Sequence, residues 1–129
     1  MKKFENFCKA LDNLRLVRDT REPYDVMTLT GSIALFEFCF EQAWKAMKER
    51  LTGHGFPEGQ TGSPRQIVKL AYSAGMVRDE KGWLAMLVSR NDAAHSYNEE
   101  IALGLMQAIK ETYIALFEDL KAELAENWM

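Results

Sequence analysis

Apolar residues return every three or four positions along nearly all of this chain, and no stretch alternates apolar with polar side chains as a half-buried strand would. That period confines the chain to helices that each bury one side. Phe4, Phe7, Cys8, Leu11 and Leu14 mark a first amphipathic helix, which Pro23 and its neighbours break. A long second helix is predicted from about Asp25 to Leu51, with Leu29, Ile33, Phe36, Phe40, Trp44 and Met47 as its stripe. Leu35, Phe38 and Cys39 widen that stripe, so this helix is expected at the centre, touched on several sides. Residues 52–62 form the one clear loop. Ser63 and Pro64 read as the N-cap and first residue of a short third helix, with Ile67, Val68, Ala71 and Tyr72 inward and Gly75 as its stop. A fourth helix starts near Asp79 or Glu80 and carries Trp83, Leu84, Leu87 and Val88. Ser96 with Glu99 reads as a capping box for a last helix beginning just after His95. Its stripe is Ile101, Leu105, Ala108, Ile109, Thr112, Leu116, Leu120 and Leu124. The pattern predicts an all-α fold: an antiparallel up-and-down four-helix bundle with one additional short helix, residues 1–129 forming a single domain.

A chain of 129 residues can bury a core without staples. Its net charge of −3 provides no strong basic field, which argues against tight electrostatic capture of nucleic acid but leaves room for a small local site. Cys8 and Cys39 lie on apolar helical faces with no metal-type spacing, and read as reduced core residues. No long apolar stretch follows Lys2 and Lys3, and no run reaches the length of a membrane span. The expected location is therefore cytoplasmic, without a membrane partner.

Chemistry concentrates in residues 90–97, Arg-Asn-Asp-Ala-Ala-His-Ser-Tyr. Arginine is always charged and offers planar donors suited to phosphate, and histidine titrates near neutrality and can act as general acid or base. On a continuous helix Asn91 and His95 share a face with Leu87, and the long Arg90 side chain can swing beside them. Ala93 and Ala94 leave room for a close neighbour. The residues alone also admit a plainer reading, in which Arg90 and Asp92 are solvated helix-end charges and His95 faces the helix dipole.

Arg90-Asn-Asp-Ala-Ala-His95-Ser-Tyr97 resembles the Arg-x-x-x-x-His-x-Tyr signature of HEPN domains. More narrowly, the chain resembles the nucleotidyltransferase substrate-binding proteins, small helical partners of minimal nucleotidyltransferases. The likeness extends to Phe36–Lys45 with its aromatics, to Ser63-Pro-Arg-Gln-Ile67 with Ala71 and Gly75, to Trp83 and Met86–Asn91, and to Leu116-Phe117. The resemblance implies a homodimer in which two Arg/His motifs face each other across one cleft. It implies a ribonuclease needing no metal or cofactor. His95 would help deprotonate a ribose 2′-hydroxyl, Arg90 would stabilise charge on the phosphorane, and Asn91 would orient the phosphate or the histidine. The products would be a 2′,3′-cyclic phosphate and a 5′-hydroxyl, and DNA would be inert. In related toxin–antitoxin pairs a partner nucleotidyltransferase adds AMP to the motif's tyrosine, here Tyr97, silencing the toxin. A second implied reading is a non-catalytic subunit in which Arg90 and His95 bind a nucleotide phosphate for the partner. A plain structural dimer is a third.

Other features read as structural. Gly31-Ser32 has the Gly-Ser start of a nucleotidyltransferase site, but no Asp-x-Asp to hold Mg²⁺ occurs, and the pair lies in a helical pattern, so it reads as a helix-packing site. The glycine-rich loop lacks the ending of a phosphate loop. Within it His54 reads as a solvent-exposed residue, with contact to a partner as the alternative. Phe36, Phe40 and Trp44 are expected in the core or a dimer interface. Glu37 and Glu41, among those aromatics, must face solvent or find a donor. Glu99 and Glu100 suit a helix N-terminus, and Trp128 is expected to fray unless it packs on a partner.

Overall fold

A computed structural model describes residues 2–95 and 97–129, and among these residues it contains helices and no strand. The α-helices are α1 (Lys2–Arg15), α2 (Val26–Gly53), α3 (Pro64–Ser73), α4 (Glu80–Asp92), α5 (Glu99–Ala108) and α6 (Ile114–Asn127). A π turn, Ile109–Tyr113, joins α5 to α6 without a break. Four long helical runs and the short α3 thus make an all-α fold. None of the helices is long and apolar enough to cross a membrane.

The helix starts follow local chemistry. Asp25 accepts the Thr28 N–H at 2.7 Å at the head of α2, and Asp79 accepts the Gly82 N–H at 2.9 Å at the head of α4. Ser63 and Gln66 exchange side-chain-to-backbone hydrogen bonds around Pro64, which closes the N-terminus of α3. Gly75 follows that helix at φ +81°, a conformation only glycine adopts without strain. Helix α1 stops at Arg15, well before Pro23, and the chain goes on without a break. It tightens into a 3₁₀ turn, Leu16–Asp19, whose Val17 carbonyl accepts the Thr20 hydroxyl at 2.7 Å.

The core is one contiguous cluster to which every α-helix contributes. Phe117 meets Phe7 at 6.1 Å between ring centroids, Phe36 at 6.3 Å and Trp83 edge-on at 5.5 Å. Phe36 stacks on Tyr113 at 5.4 Å, and Phe40 meets Trp83 at 6.3 Å. Further along α4 the Ser89 hydroxyl lies 2.6 Å from that of Tyr113. Since Ser89 follows Trp83 while Tyr113 precedes Phe117, α4 and α6 run antiparallel. Cys39 is fully buried, and burial pushes its thiol well above the usual range; Cys8 is half-buried, and both are free.

Several inward faces differ from the expected ones. The π turn inserts one residue into the last helical run, so its buried stripe passes through Ile109, Tyr113, Ile114 and Phe117. Thr112, predicted inward, is exposed; Leu116 is half-buried; and Ile101 lies at the surface. Met86 takes the inward place expected of Val88, and Tyr72 and Phe38 face solvent. Of the Gly31-Ser32 pair expected to pack a helix, Ser32 is buried, whereas Gly31 is exposed with open space beside it. Trp128 is not frayed. Its ring lies against His54 at 4.9 Å and Phe56 at 6.4 Å, its indole donates to Glu123, and its carbonyl is 3.0 Å from His54 Nε2. The loop histidine therefore ties down the C-terminal turn.

A second tie closes α1 onto α6. Glu118 accepts from Arg18 at 2.8 and 3.0 Å and from Arg15 at 3.0 Å. The Arg18 hydrogen bonds, joined by the one from Arg15, overcome partial burial and hold the Glu118 carboxyl at about 2, below its ordinary 4.5. A depressed folded-state value means stability that is present above pH 4.5 and is lost as pH falls toward 2. With 32% of the side chain exposed, solvent screening holds the contribution to about 1 kcal/mol. Glu118→Gln is expected to unfold more easily than wild type in urea at pH 7, with the difference shrinking between pH 4.5 and 2. A pH-independent difference would contradict the assignment.

Candidate functional site

The residues singled out by sequence sit where α4 ends. Helix α4 stops at Asp92, the chain tightens into a 3₁₀ turn over Ala93–His95, and α5 begins at Glu99. Because a 3₁₀ turn rotates about 120° per residue rather than 100°, His95 does not stay on the Asn91 face that a continuous helix would give it. Ala93 is buried and pins the turn to the core, while Asn91, Asp92, Ala94, His95 and Tyr97 are exposed. Tyr97 is 86% exposed, so its hydroxyl is open to an incoming reagent.

The expected capping residue, Ser96, lies outside the described residues. The N-cap of α5 is Asn98, whose side-chain oxygen accepts from the Glu100 and Ile101 N–H groups at 2.9 and 3.3 Å. Glu99 and Glu100 then occupy the first turn, as their charge favours. An Asn followed by two acids was the available signal for this start.

The four candidate residues fall into two pairs. Arg90, on the last turn of α4, donates to Asn91 Oδ1 over a long 3.4 Å. The His95 and Tyr97 rings meet edge to face, 6.2 Å apart. No hydrogen bond joins the two pairs among the described residues. What sequence reasoning missed is the partner on α2. Arg90 Nη1 donates to Glu41 Oε2 at 3.1 Å, and its guanidinium lies over the Phe40 ring at 5.5 Å. The same Glu41 oxygen accepts the Trp44 indole N–H at 3.1 Å, and its other oxygen is 3.3 Å from Lys45 Nζ. Burial opposes ionisation of Glu41, but hydrogen bonds from Trp44 and Lys45 and the charges of Lys45 and Arg90 outweigh it, so the carboxyl titrates below its ordinary value. The i, i+3 and i, i+4 spacing of Glu41, Trp44 and Lys45 was visible in the sequence; the contact with Arg90 across helices was not.

Residues 2–126 match the sequence profile described as nucleotidyltransferase substrate binding protein like. The chain belongs to that family. A protein of Haemophilus influenzae named probable ribonuclease HepT is 28% identical over 88 residues, which are 67% of this chain and 60% of that protein's length. A crystal structure of a Thermus thermophilus protein superposes with a TM-score of 0.81 at 28% identity, covering 92% of this chain and 98% of that one. The HI0074 protein of Haemophilus influenzae, described as revealing the fold of a substrate-binding domain of a nucleotidyltransferase, superposes with a TM-score of 0.82 at 21% identity. It covers 95% of this chain and 99% of its own, and shares the fold.

The turn carrying His95 and Tyr97 depends on the α5 cap. Asn98→Ala is expected to lower stability by about 1 kcal/mol and to speed hydrogen exchange at the Glu100 and Ile101 amides, read by two-dimensional NMR. Unchanged exchange there would contradict the capping role.

Proposed function

We propose that this protein is the HEPN component of a nucleotidyltransferase–HEPN toxin–antitoxin pair: a metal-independent endoribonuclease silenced when its partner adds AMP to Tyr97. The observation that carries the reading is the exposed turn after α4, which presents an imidazole and a phenol in ring contact one turn beyond an anchored guanidinium. Membership of the family and the likeness to a probable ribonuclease support it.

In this reading His95 takes the proton of a ribose 2′-hydroxyl, whose oxygen attacks the adjacent phosphorus. Arg90 stabilises the negative charge on the phosphorane, and Asn91 orients the phosphate. The P–O5′ bond breaks, the leaving oxygen gains a proton, and a 2′,3′-cyclic phosphate and a 5′-hydroxyl result. Silencing is the transfer of AMP from ATP to the Tyr97 hydroxyl with release of pyrophosphate, which puts phosphate charge and bulk beside Arg90 and His95.

A homodimer would bring two such turns together. The support is a solvent-facing stripe on α2, where Met27 is 84% exposed, Gly31 is open, Ala34 is half-buried and Phe38 is 65% exposed, running toward Glu41 and the Arg90 pair. Residues spaced by fours and threes in this way form one helix face. The second reading, a non-catalytic nucleotide-binding subunit, is favoured by the net charge of −3 and by the carboxylate that partly neutralises Arg90.

The purified protein is expected to cut RNA in EDTA and to leave DNA intact. His95→Ala and Arg90→Ala should each lower the rate by about 10² or more with the helical circular dichroism unchanged. Cleavage by His95→Ala at the wild-type rate would refute the catalytic assignment, and nucleotide binding without RNA cleavage would establish the second reading. A cognate nucleotidyltransferase with ATP and Mg²⁺ is expected to add AMP to the wild type and not to Tyr97→Phe, by mass spectrometry. Equal modification of both would remove Tyr97 as the acceptor.

A further inference from the structure

The Arg90 guanidinium is held on two sides by α2. Its Nη1 donates to Glu41 at 3.1 Å, and its Cζ lies over the Phe40 ring, 5.5 Å from the centroid. Phe40 is fully buried and packed against Trp83, so it forms a fixed floor. The Glu41 carboxylate is oriented from its own helix, by the Trp44 indole on one oxygen and Lys45 on the other, without help from Arg90. Among the described residues, Arg90 otherwise donates to Asn91 alone. With five N–H donors on a guanidinium, most of the fork is left over for a ligand.

We propose that Glu41 is the positioning residue for Arg90: together with Trp44 it clamps the guanidinium over Phe40, so that its unused N–H groups are already oriented when a phosphate arrives. The proposal rests on the reading of Arg90 as the phosphate-binding group. An unclamped arginine on a helix end would have to give up rotamer freedom each time it engaged a phosphate, and misplacement of such a group by about an ångström is enough to slow a reaction severely. The clamp also has an electrostatic consequence. A carboxylate beside Arg90 weakens its pull on an anion in the ground state, while Lys45 on the far oxygen offsets part of that charge. Glu41 thus opposes binding and favours orientation. These effects separate in kinetics, since a group that serves only orientation acts on kcat rather than on KM.

The test compares wild type, Glu41→Gln and Trp44→Phe in RNA cleavage and in ¹⁵N NMR of the Arg90 guanidinium, assigned by its loss in Arg90→Lys. Glu41→Gln is expected to lower kcat about tenfold while KM for RNA stays level or falls. Trp44→Phe, which keeps the charge but removes the indole donor, is expected to lower kcat by a smaller factor with KM unchanged. In wild type the two Nη resonances of Arg90 should be resolved by hindered rotation, and in Glu41→Gln they should merge. Merged resonances in wild type, or an unchanged kcat in Glu41→Gln alongside a lowered melting temperature, would overturn the clamp and leave Glu41 a merely structural residue. Should Glu41→Gln fail to fold, the wild-type resonances and Trp44→Phe still decide. Wild type that leaves RNA intact would refute the ribonuclease reading, while the resonances would still judge the clamp.

Discussion

Phe117 and Trp83 meet edge to face in the core, and the aromatic cluster built on them sets how far α1, α2, α4 and α6 slide along one another. Trp83 reaches from α4 to Phe40 on α2, and Phe117 reaches from α6 to Phe36 on α2 and Phe7 on α1. Edge-to-face pairs prefer restricted geometries, so such a cluster resists sliding as well as separation. The place of Arg90 follows from it. Arg90 is two helical turns beyond Trp83, and with Trp83 locked against Phe40 the guanidinium comes to rest over that ring with Glu41 alongside. Phe40 belongs both to the core and to the site, since its ring meets Trp83 and also carries the cation. Rigidity that originates in apolar packing is thereby passed to a charged group at the surface.

The π turn is the second device on which the arrangement depends. Adding one residue to the last helical run moves Tyr113 inward where an unbroken helix would have placed Thr112. The Tyr113 ring then stacks on Phe36 and its hydroxyl meets Ser89, the residue just before Arg90. The end of α4 is therefore held from both α2 and the π turn. Beyond it, the described residues of the turn through His95 and Tyr97 are tied by buried Ala93, by the Asn98 cap and by the Asn98 N–H, which donates to the His95 carbonyl at 3.0 Å. An anchored guanidinium beside an exposed imidazole and phenol is an arrangement in which one group waits in position and the others are open to reagents.

The helices were legible in the sequence because their determinants are local. Ser63-Pro64 with Gln66, Gly75 after α3 and an acid at the head of α4 each specify a boundary through residues a few positions apart. The motif at residues 90–97 was legible as a set of residue types. Its geometry was not, since a continuous helix through His95 and a cap at Ser96 were as consistent with the pattern as the 3₁₀ turn and the Asn98 cap that the chain adopts. The inward face after Ile109 was misread because a π turn changes the register without any local marker such as proline or glycine. Trp128 was misread because its partners, His54 and Phe56, lie more than seventy residues away.

By itself, the sequence determined an all-helical chain, the order of its helices, the caps that start α2, α3 and α4, and the residue types gathered after α4. These depend on hydrophobic period and on hydrogen bonds between near neighbours, both written into consecutive residues. Only the tertiary structure decided that Glu41 and Phe40 hold Arg90, that Tyr113 rather than Thr112 enters the core, and that Phe38 and Gly31 are left facing solvent. Those outcomes depend on how helices are rotated and shifted against one another. That choice is made by the packing of large side chains from distant parts of the chain, which no single segment encodes.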